Sequence, residues 1–232
     1  MVKIDKYGMN ILSRIFQHNV LATIFINFKL LPFRQAIKFP IEVFHKFRMT
    51  NLQGRLILDV PVISRGMIQI GCYGSEMFSH NDETILYLAG DWHCKGKVSF
   101  GIGSCLRIER GACMITEDDV VVGARNLVFC ENGMVLKQKF LSSWDCTIID
   151  TDRHDVINTK TRNVTNPSAE IVVGEHTWVG NSASIQKGTK LPANSIVASH
   201  SLCNKDYSSE GEYCIFAGVP AKKICENREW NR

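Results

Sequence analysis

The 232 residues lack any paired-cysteine signature. Nine cysteines are present, an odd number, and no two are spaced as Cys-x-x-Cys, so neither a zinc knuckle nor a disulfide framework is indicated. They read as reduced thiols of a cytoplasmic protein, several at positions where a thiol packs as a small hydrophobe. Long hydrophobic runs are missing too. The longest nearly apolar stretch, Val20 to Ile26, includes Thr23. It falls far short of the roughly 18–20 residues a spanning helix needs, and no small-residue cleavage site follows it. Most of the chain also lacks an excess of positive charge. Residues 1–48 hold eight Lys or Arg against Asp5 and Glu42, a balance of +6, which leaves −2 for the remainder of a chain whose net charge is +4. With no basic stripe along the body and no nucleic-acid motif, nucleic acid is not an expected partner.

What the chain does have is a period of six. Branched aliphatics recur at Val173, Val179, Ile185, Leu191 and Val197, each followed four places later by a small residue, namely Thr177, Ala183, Thr189, Ser195 and Ser201. This period fits neither a 3.6-residue helix nor an alternating strand. It fits a coil with three flat sides, one unit per side, and aliphatics pointing inward, which is a parallel β-helix. A looser run precedes it at Ile102, Ile108, Met114 and Val120, with Leu106, Ala112, Asp118 and Ala124 four places on. Leu136, Ser142 and Ile148 carry the spacing between the runs, Ser142 being a weak inward residue. The stretch from Asp152 to Glu170 then breaks the period. Solenoids accept insertions as outside loops, and such loops often build the functional face.

Basic and aromatic residues interleave at the N-terminal end, where Phe16, Phe25, Phe28, Phe33, Phe39, Phe44 and Phe47 make up seven of the twelve phenylalanines. One reading is a cap, since solenoid ends need a cover. The other is peripheral contact with a membrane, Lys29, Arg34, Lys38, Lys46 and Arg48 lying near anionic head groups. The two readings are compatible. The expected organisation is a cap over residues 1–60, a coil over residues 61–224 with a functional loop over residues 150–171, and a short tail over residues 225–232.

Several local motifs carry a family likeness: Val173-Gly174, Trp178-Val179-Gly180, Ala198-Ser199-His200-Ser201, Lys205-Asp206 and Ala217-Gly218-Val219-Pro220-Ala221-Lys222. Together they resemble the hexapeptide-repeat acyltransferases over about residues 98–224. Ser143-Trp144-Asp145 followed by Asp150-Thr151-Asp152-Arg153-His154 is similar to the branch that O-acetylates sugars of bacterial lipopolysaccharide and capsule. The resemblance implies a left-handed coil, a homotrimer with sites in clefts between neighbouring coils, acetyl-coenzyme A as donor and one essential histidine. It departs from the pattern at His200, which stands where a glycine is expected.

The chemistry implied by that resemblance is acetyl transfer from a thioester to a sugar hydroxyl. This needs a base near neutral pKa, stabilisation of an oxyanion and a groove for the carrier. His154 is the candidate base in the aperiodic loop. Asp152 is the catalytic carboxylate candidate, with Asp150 and Asp155 also near enough in sequence to orient a ring. Trp178, Gly180, Ala198 and Ser199 are carrier candidates, and Lys205 and Lys222 are placed to meet phosphates. Trp144 and Asp145 are candidates for the acceptor side. No metal is required by this reading. The competing classes are a zinc enzyme of the carbonic anhydrase type, which needs three convergent nitrogen donors, and a non-catalytic binding scaffold. Within the transferases, an amine or a small molecule is the alternative acceptor.

Overall fold

The computed structural model describes residues 17–72 and 77–231. Strands three apart in sequence pair in parallel, which closes one coil for every three strands. Val120–Val122, for example, lies between Val98–Gly101 and Leu141–Ser142, and Leu127–Cys130 lies between Cys105–Ile108 and Thr147–Ile149. The result is three sheets of nine, seven and six strands. This is the three-sided parallel β-helix that the period of six predicts.

Stacking in register explains the period. On the second sheet Leu86, Leu106, Val128, Ile148, Ile185 and Cys203 stand above one another, and all are buried. On the first sheet Phe100, Val122, Ser142, Val179, Val197 and Phe216 do the same. Ser142 is tolerated inside because its hydroxyl accepts from the Asn126 amide at 2.7 Å and so is not left unpaired in the core. The small residues four places on sit at the corners, where the chain turns too tightly for bulk. Thr177, Thr189, Ser195 and Ser201 are all buried there. Their hydroxyls bond backbone across coils or turns, as Thr189 Oγ1 donates to the Cys203 carbonyl at 2.9 Å.

The coil begins earlier than the repeat pattern indicates. Ile41–Val43, Phe47–Leu52 and Arg55–Leu58 already belong to the three sheets, so the cap is confined to residues before 41. The register of Phe47–Leu52 shifts between Met49 and Asn51, and a shifted strand hides its inward alternation from a fixed period. Residues 1–16 of the expected cap, Phe16 among them, lie outside the described residues. The rest of the cap is built on a helix, α1 (Val20–Leu30), and a single turn, α2 (Phe33–Ala36). Asn19 caps α1 by accepting from the Ala22 N–H at 3.1 Å. The buried side of α1 is partly polar because it serves a bare strand edge. Asn27 donates to the Ile41 carbonyl at 2.7 Å and accepts from the Ile41 N–H at 3.1 Å, and Thr23 Oγ1 accepts from the Val43 N–H at 2.9 Å. These bonds satisfy the edge that would otherwise template another strand.

At the other end the chain reverses. Ala221–Cys225 pairs antiparallel with Ile215–Gly218, and the tail then folds back so that Trp230 stacks on His176 with centroids 4.7 Å apart and donates to the His176 carbonyl at 2.9 Å. Among the described residues no helix is long and apolar enough to cross a membrane. No disulfide joins the cysteines, all of which are described, and Cys94, Cys130, Cys146, Cys203 and Cys214 are buried. Ile185→Ala, which empties an inward position between Ile148 and Cys203, is expected to cost about 3 kcal/mol in chemical denaturation. Gln69→Ala, on an outward position, should change stability by less than about 0.5 kcal/mol.

Candidate functional site

Three corners run down the coil, and the residues singled out from sequence divide among them. The corner between the first and second sheets carries Trp144, Asp145, Gly180, Ala198 and Ser199. Its turn positions stack in the left-handed region: Arg125 at φ 54°, Asp145 at φ 57°, Ser182 at φ 58° and His200 at φ 58°. A glycine is favoured at such a position because it has no Cβ to clash. His200 therefore occupies a backbone conformation that explains the glycine expected there, with its side chain outside in solvent.

Gly180 is required by the coil itself. A Cβ at this position would meet the Ser199 nitrogen at 2.7 Å and the Val197 carbonyl oxygen at 3.0 Å. Asp145 is committed to its neighbour, accepting both arms of the Arg125 guanidinium at 2.9 and 2.6 Å. The Arg125 guanidinium also lies 4.8 Å from the centre of the Phe78 ring, and Phe78 stands 6.3 Å from Trp144. Arg125 and Phe78 thus join Trp144 and Asp145 on this corner. Their sequence spacing did not mark them, because Phe78 arrives from a loop outside the repeat.

The corner between the second and third sheets carries the long excursion with Asp152 and His154. The excursion leaves and returns at one point, since the Ala169 N–H donates to the Asp150 carbonyl at 3.0 Å. Asp150 is fully buried. Its carboxylate accepts from the backbone N–H groups of Glu131, Asn132 and Gly133 at 2.7, 2.8 and 2.9 Å, so both oxygens are turned to backbone inside the coil and away from the exposed His154 ring. Asp152 is also engaged. Its Oδ2 accepts from Lys187 Nζ at 2.6 Å and from the Asn166 amide at 2.7 Å. These partners, Lys187 first, hold the Asp152 carboxyl below the usual carboxylate range.

Asn166 is the hub of this loop. Besides Asp152, its amide nitrogen donates to the His154 carbonyl at 2.9 Å and its oxygen accepts from the Val156 N–H at 2.5 Å. Lys187, on the next coil, also donates to the Asn166 carbonyl at 2.7 Å. His154 is therefore fixed by its backbone, while its ring stands exposed with no hydrogen bond among the described residues. Lys187 and Asn166 were not singled out from sequence. The signal was available for Lys187, because it lies two residues past the inward Ile185 and so falls at the corner directly over the loop base.

Of the remaining candidates, Lys205 lies on this same corner, one coil beyond Lys187, and Trp178 and Lys222 lie on the first sheet. Trp178 projects outward from the first sheet, where its indole donates to Ser143 Oγ at 3.0 Å and packs 6.3 Å from the Trp230 ring. Lys205 lies 3.8 Å from Glu210 and over the Tyr207 ring at 5.0 Å. Lys222 is exposed on the reversing strand opposite Ala217. Among the described residues no group of three His, Cys, Asp or Glu side chains is placed to hold a metal ion. Burial pushes the thiol of Cys146 up to about 11 and that of Cys203 up to about 12, so these thiols stay protonated and are poor nucleophiles near neutral pH.

Fold and loop together define a three-sided parallel β-helix with a period of six and a histidine-bearing excursion. Its sequence is 26% identical over 169 residues to the protein named "Probable acetyltransferase Rv3034c" of Mycobacterium tuberculosis (strain ATCC 25618 / H37Rv), an alignment covering 72% of this chain. The chain spans about half the length of that curated relative, 52%. No protein-family model matches it. Among solved structures it superposes on the polySia-specific acetyltransferase NeuO with a TM-score of 0.45 at 17% identity, covering 81% of this chain and 83% of that one. The polysialic acid O-acetyltransferase OatWY gives a TM-score of 0.45 at 19% identity, covering 81% and 92%. AntD, an N-acyltransferase from Bacillus cereus, in complex with dTDP and 3-hydroxybutyryl-CoA, gives 0.41 at 15% identity, covering 82% and 80%.

The loop clamp has a measurable consequence. Lys187→Met should raise amide exchange at Val156 and Thr165 by about tenfold while leaving the coil strands protected. A carboxylate held below its ordinary value supports the folded loop above that value and loses this support as pH falls through the lowered one. In the wild-type protein, protection at these two amides is therefore expected to fall below about pH 4.

Proposed function

We propose that this chain is an acetyl-coenzyme A-dependent O-acetyltransferase whose acceptor is a sugar hydroxyl of a bacterial surface polysaccharide or its precursor. The observation that carries the reading is the exposed ring of His154, held by its backbone on a loop clamped to the coil. The similarity to a probable acetyltransferase over 72% of the chain supports the transferase class, and the Ser143-Trp144-Asp145 and Asp150-to-His154 motifs support a sugar acceptor.

In this mechanism the His154 imidazole takes the acceptor hydroxyl proton as the oxygen attacks the thioester carbonyl. Collapse of the tetrahedral intermediate breaks the carbon–sulfur bond. The imidazolium then returns its proton to the departing thiolate, giving ester and free coenzyme A. The buried, protonated thiols of Cys146 and Cys203 fit direct transfer without an acyl-cysteine intermediate. Asp152 assists catalysis through the loop, because its charge is spent on Lys187 and Asn166.

The donor's carrier is expected along the late coils past Trp178, Gly180, Ala198 and Ser199, with Lys205 and Lys222 as phosphate partners. Trp178, Gly180, Ala198 and Ser199 are separated from the His154 loop by the second-sheet strand Thr147–Ile149, about 10 Å at 3.3 Å per residue, while Lys205 follows Leu202–Cys203 on the corner of the loop itself, one coil beyond Lys187. A homotrimer, in which the loop of one coil faces the carrier groove of a neighbour, would bring the two halves together. A cytoplasmic enzyme acting on precursors at the inner face of a membrane fits the acceptor class.

The test is consumption of the acetyl-coenzyme A thioester with a panel of sugar acceptors. His154→Ala, with folding verified by its denaturation profile, is expected to lower kcat by about 100- to 10,000-fold. A variant as active as the wild type would remove His154 from the base role, and failure of both proteins to bind acetyl-coenzyme A would remove the transferase reading.

A further inference from the structure

The outward face of the N-terminal cap carries a run of exposed apolar side chains. Val20, Leu21, Ile24, Phe25 and Phe28 on α1, with Phe33 on α2 and Ile37 just after it, are between 44% and 82% exposed. The spacing Val20, Ile24, Phe28 and Leu21, Phe25 is i, i+4, so these side chains form adjoining stripes along the helix. Phe28 and Phe33 stand 6.0 Å apart and Phe28 and Phe39 6.1 Å apart, which joins the helix and the following turn into one patch. The opposite side of α1 is pinned to the coil edge through Thr23 and Asn27, so the apolar side is fixed outward. Isolated exposed hydrophobes need no explanation, but a contiguous patch of this kind marks an interaction surface.

Charge identifies the partner. Lys29, Arg34 and Lys38 are exposed around the patch, and they form no ion pair with any described residue. The only acid in residues 17–48 is Glu42, which is bonded to Arg65 at 2.9 Å. Lys46 and Arg48, farther along, are paired with Glu83 at 3.9 and 2.7 Å. Fixed phenylalanines and branched aliphatics beside cations unpaired among the described residues match an anionic lipid interface, which takes up apolar side chains at the acyl boundary and cations at the head groups. A second copy of the chain seated on the same face would bring its own Lys29, Arg34 and Lys38 against these cations. Residues 1–16 add Lys3, Lys6 and Arg14 against Asp5 and so carry charge of the same sign.

We propose that the α1–α2 face is a docking surface for an anionic lipid bilayer, which it enters from one side without spanning. The surface is separate from the His154 loop and does not depend on the transferase reading. It would hold the coil by its N-terminal end.

The experiment is co-sedimentation of the full chain with phosphatidylcholine vesicles, with and without phosphatidylglycerol. The wild type is expected in the pellet only with phosphatidylglycerol, and less so at raised salt. Lys29→Gln, Arg34→Gln and Lys38→Gln together should weaken partitioning by about a hundredfold, about fivefold for each cation removed. Leu21→Ser with Phe25→Ser should weaken it by at least about tenfold. All five positions are exposed, and unchanged denaturation profiles would show that the variants fold. Wild-type protein that stays in the supernatant with both vesicle types overturns the proposal. So does binding that neither variant weakens. If the wild type ignores vesicles and the serine variant shifts light scattering to a smaller species, the face belongs to a second copy and the lipid assignment fails. Thioester consumption by the serine variant on a soluble acceptor should match the wild type, which keeps the outcome distinct from that of the His154 test.

Discussion

Every feature of this protein depends on the parallel hydrogen bonding of each strand to its equivalent one coil away. Because the coils are joined by backbone, a residue's position within its unit fixes both its sheet and its direction, inward or outward. The core is then a set of ladders, such as Leu106, Val128, Ile148 and Ile185, in which like side chains stack at the spacing of adjacent strands. The constraint also explains the departures. Ser142 enters the ladder only with Asn126 to satisfy its hydroxyl, and Gly180 is small because the next coil leaves no space for a Cβ.

A rigid coil also offers a place from which a loop can be aimed. The excursion after Ile149 would be a floppy insertion if it were tied only by its ends. It is held instead by two carboxylates used in different ways. Asp150, buried, gathers three backbone N–H groups and anchors the exit point. Asp152, exposed, takes a lysine from the next coil and an asparagine from the far side of the loop. A surface pair of this kind contributes little to global stability, but here it closes a long segment onto the coil, and the backbone of His154 is fixed as a result. The histidine ring is left exposed, as a group that must meet a substrate has to be.

The two ends of the coil solve the edge problem differently. At the start, side-chain amide and hydroxyl groups of α1 pair with the edge strand. Ala22 and Ile26 enter the core beside these polar groups, and Val20, Leu21, Ile24, Phe25 and Phe28 point outward, so the helix is apolar on its solvent side as well, unlike the usual amphipathic arrangement. At the finish, a strand reverses antiparallel and carries Trp230 back to His176. The C-terminal end is thus closed by packing, while the N-terminal end keeps an apolar face.

The sequence by itself determined the coil, since a six-residue period of aliphatic and small residues has no other regular solution, and it marked the excursion as the place where the period fails. It also placed His154 on that excursion, while the common corner of Gly180, Ala198 and Ser199 emerged from the stacking of the coils. It could not reveal the first coil, whose strand shifts register between Met49 and Asn51. Only the tertiary structure decided what each carboxylate does, because partners such as Lys187 and Asn166 are brought together by coil stacking and loop closure across 35 and 14 residues of sequence. The same holds for Phe78 beside Trp144 and for Trp230 on His176. Such contacts join segments of unrelated register, and no periodicity along the chain encodes them.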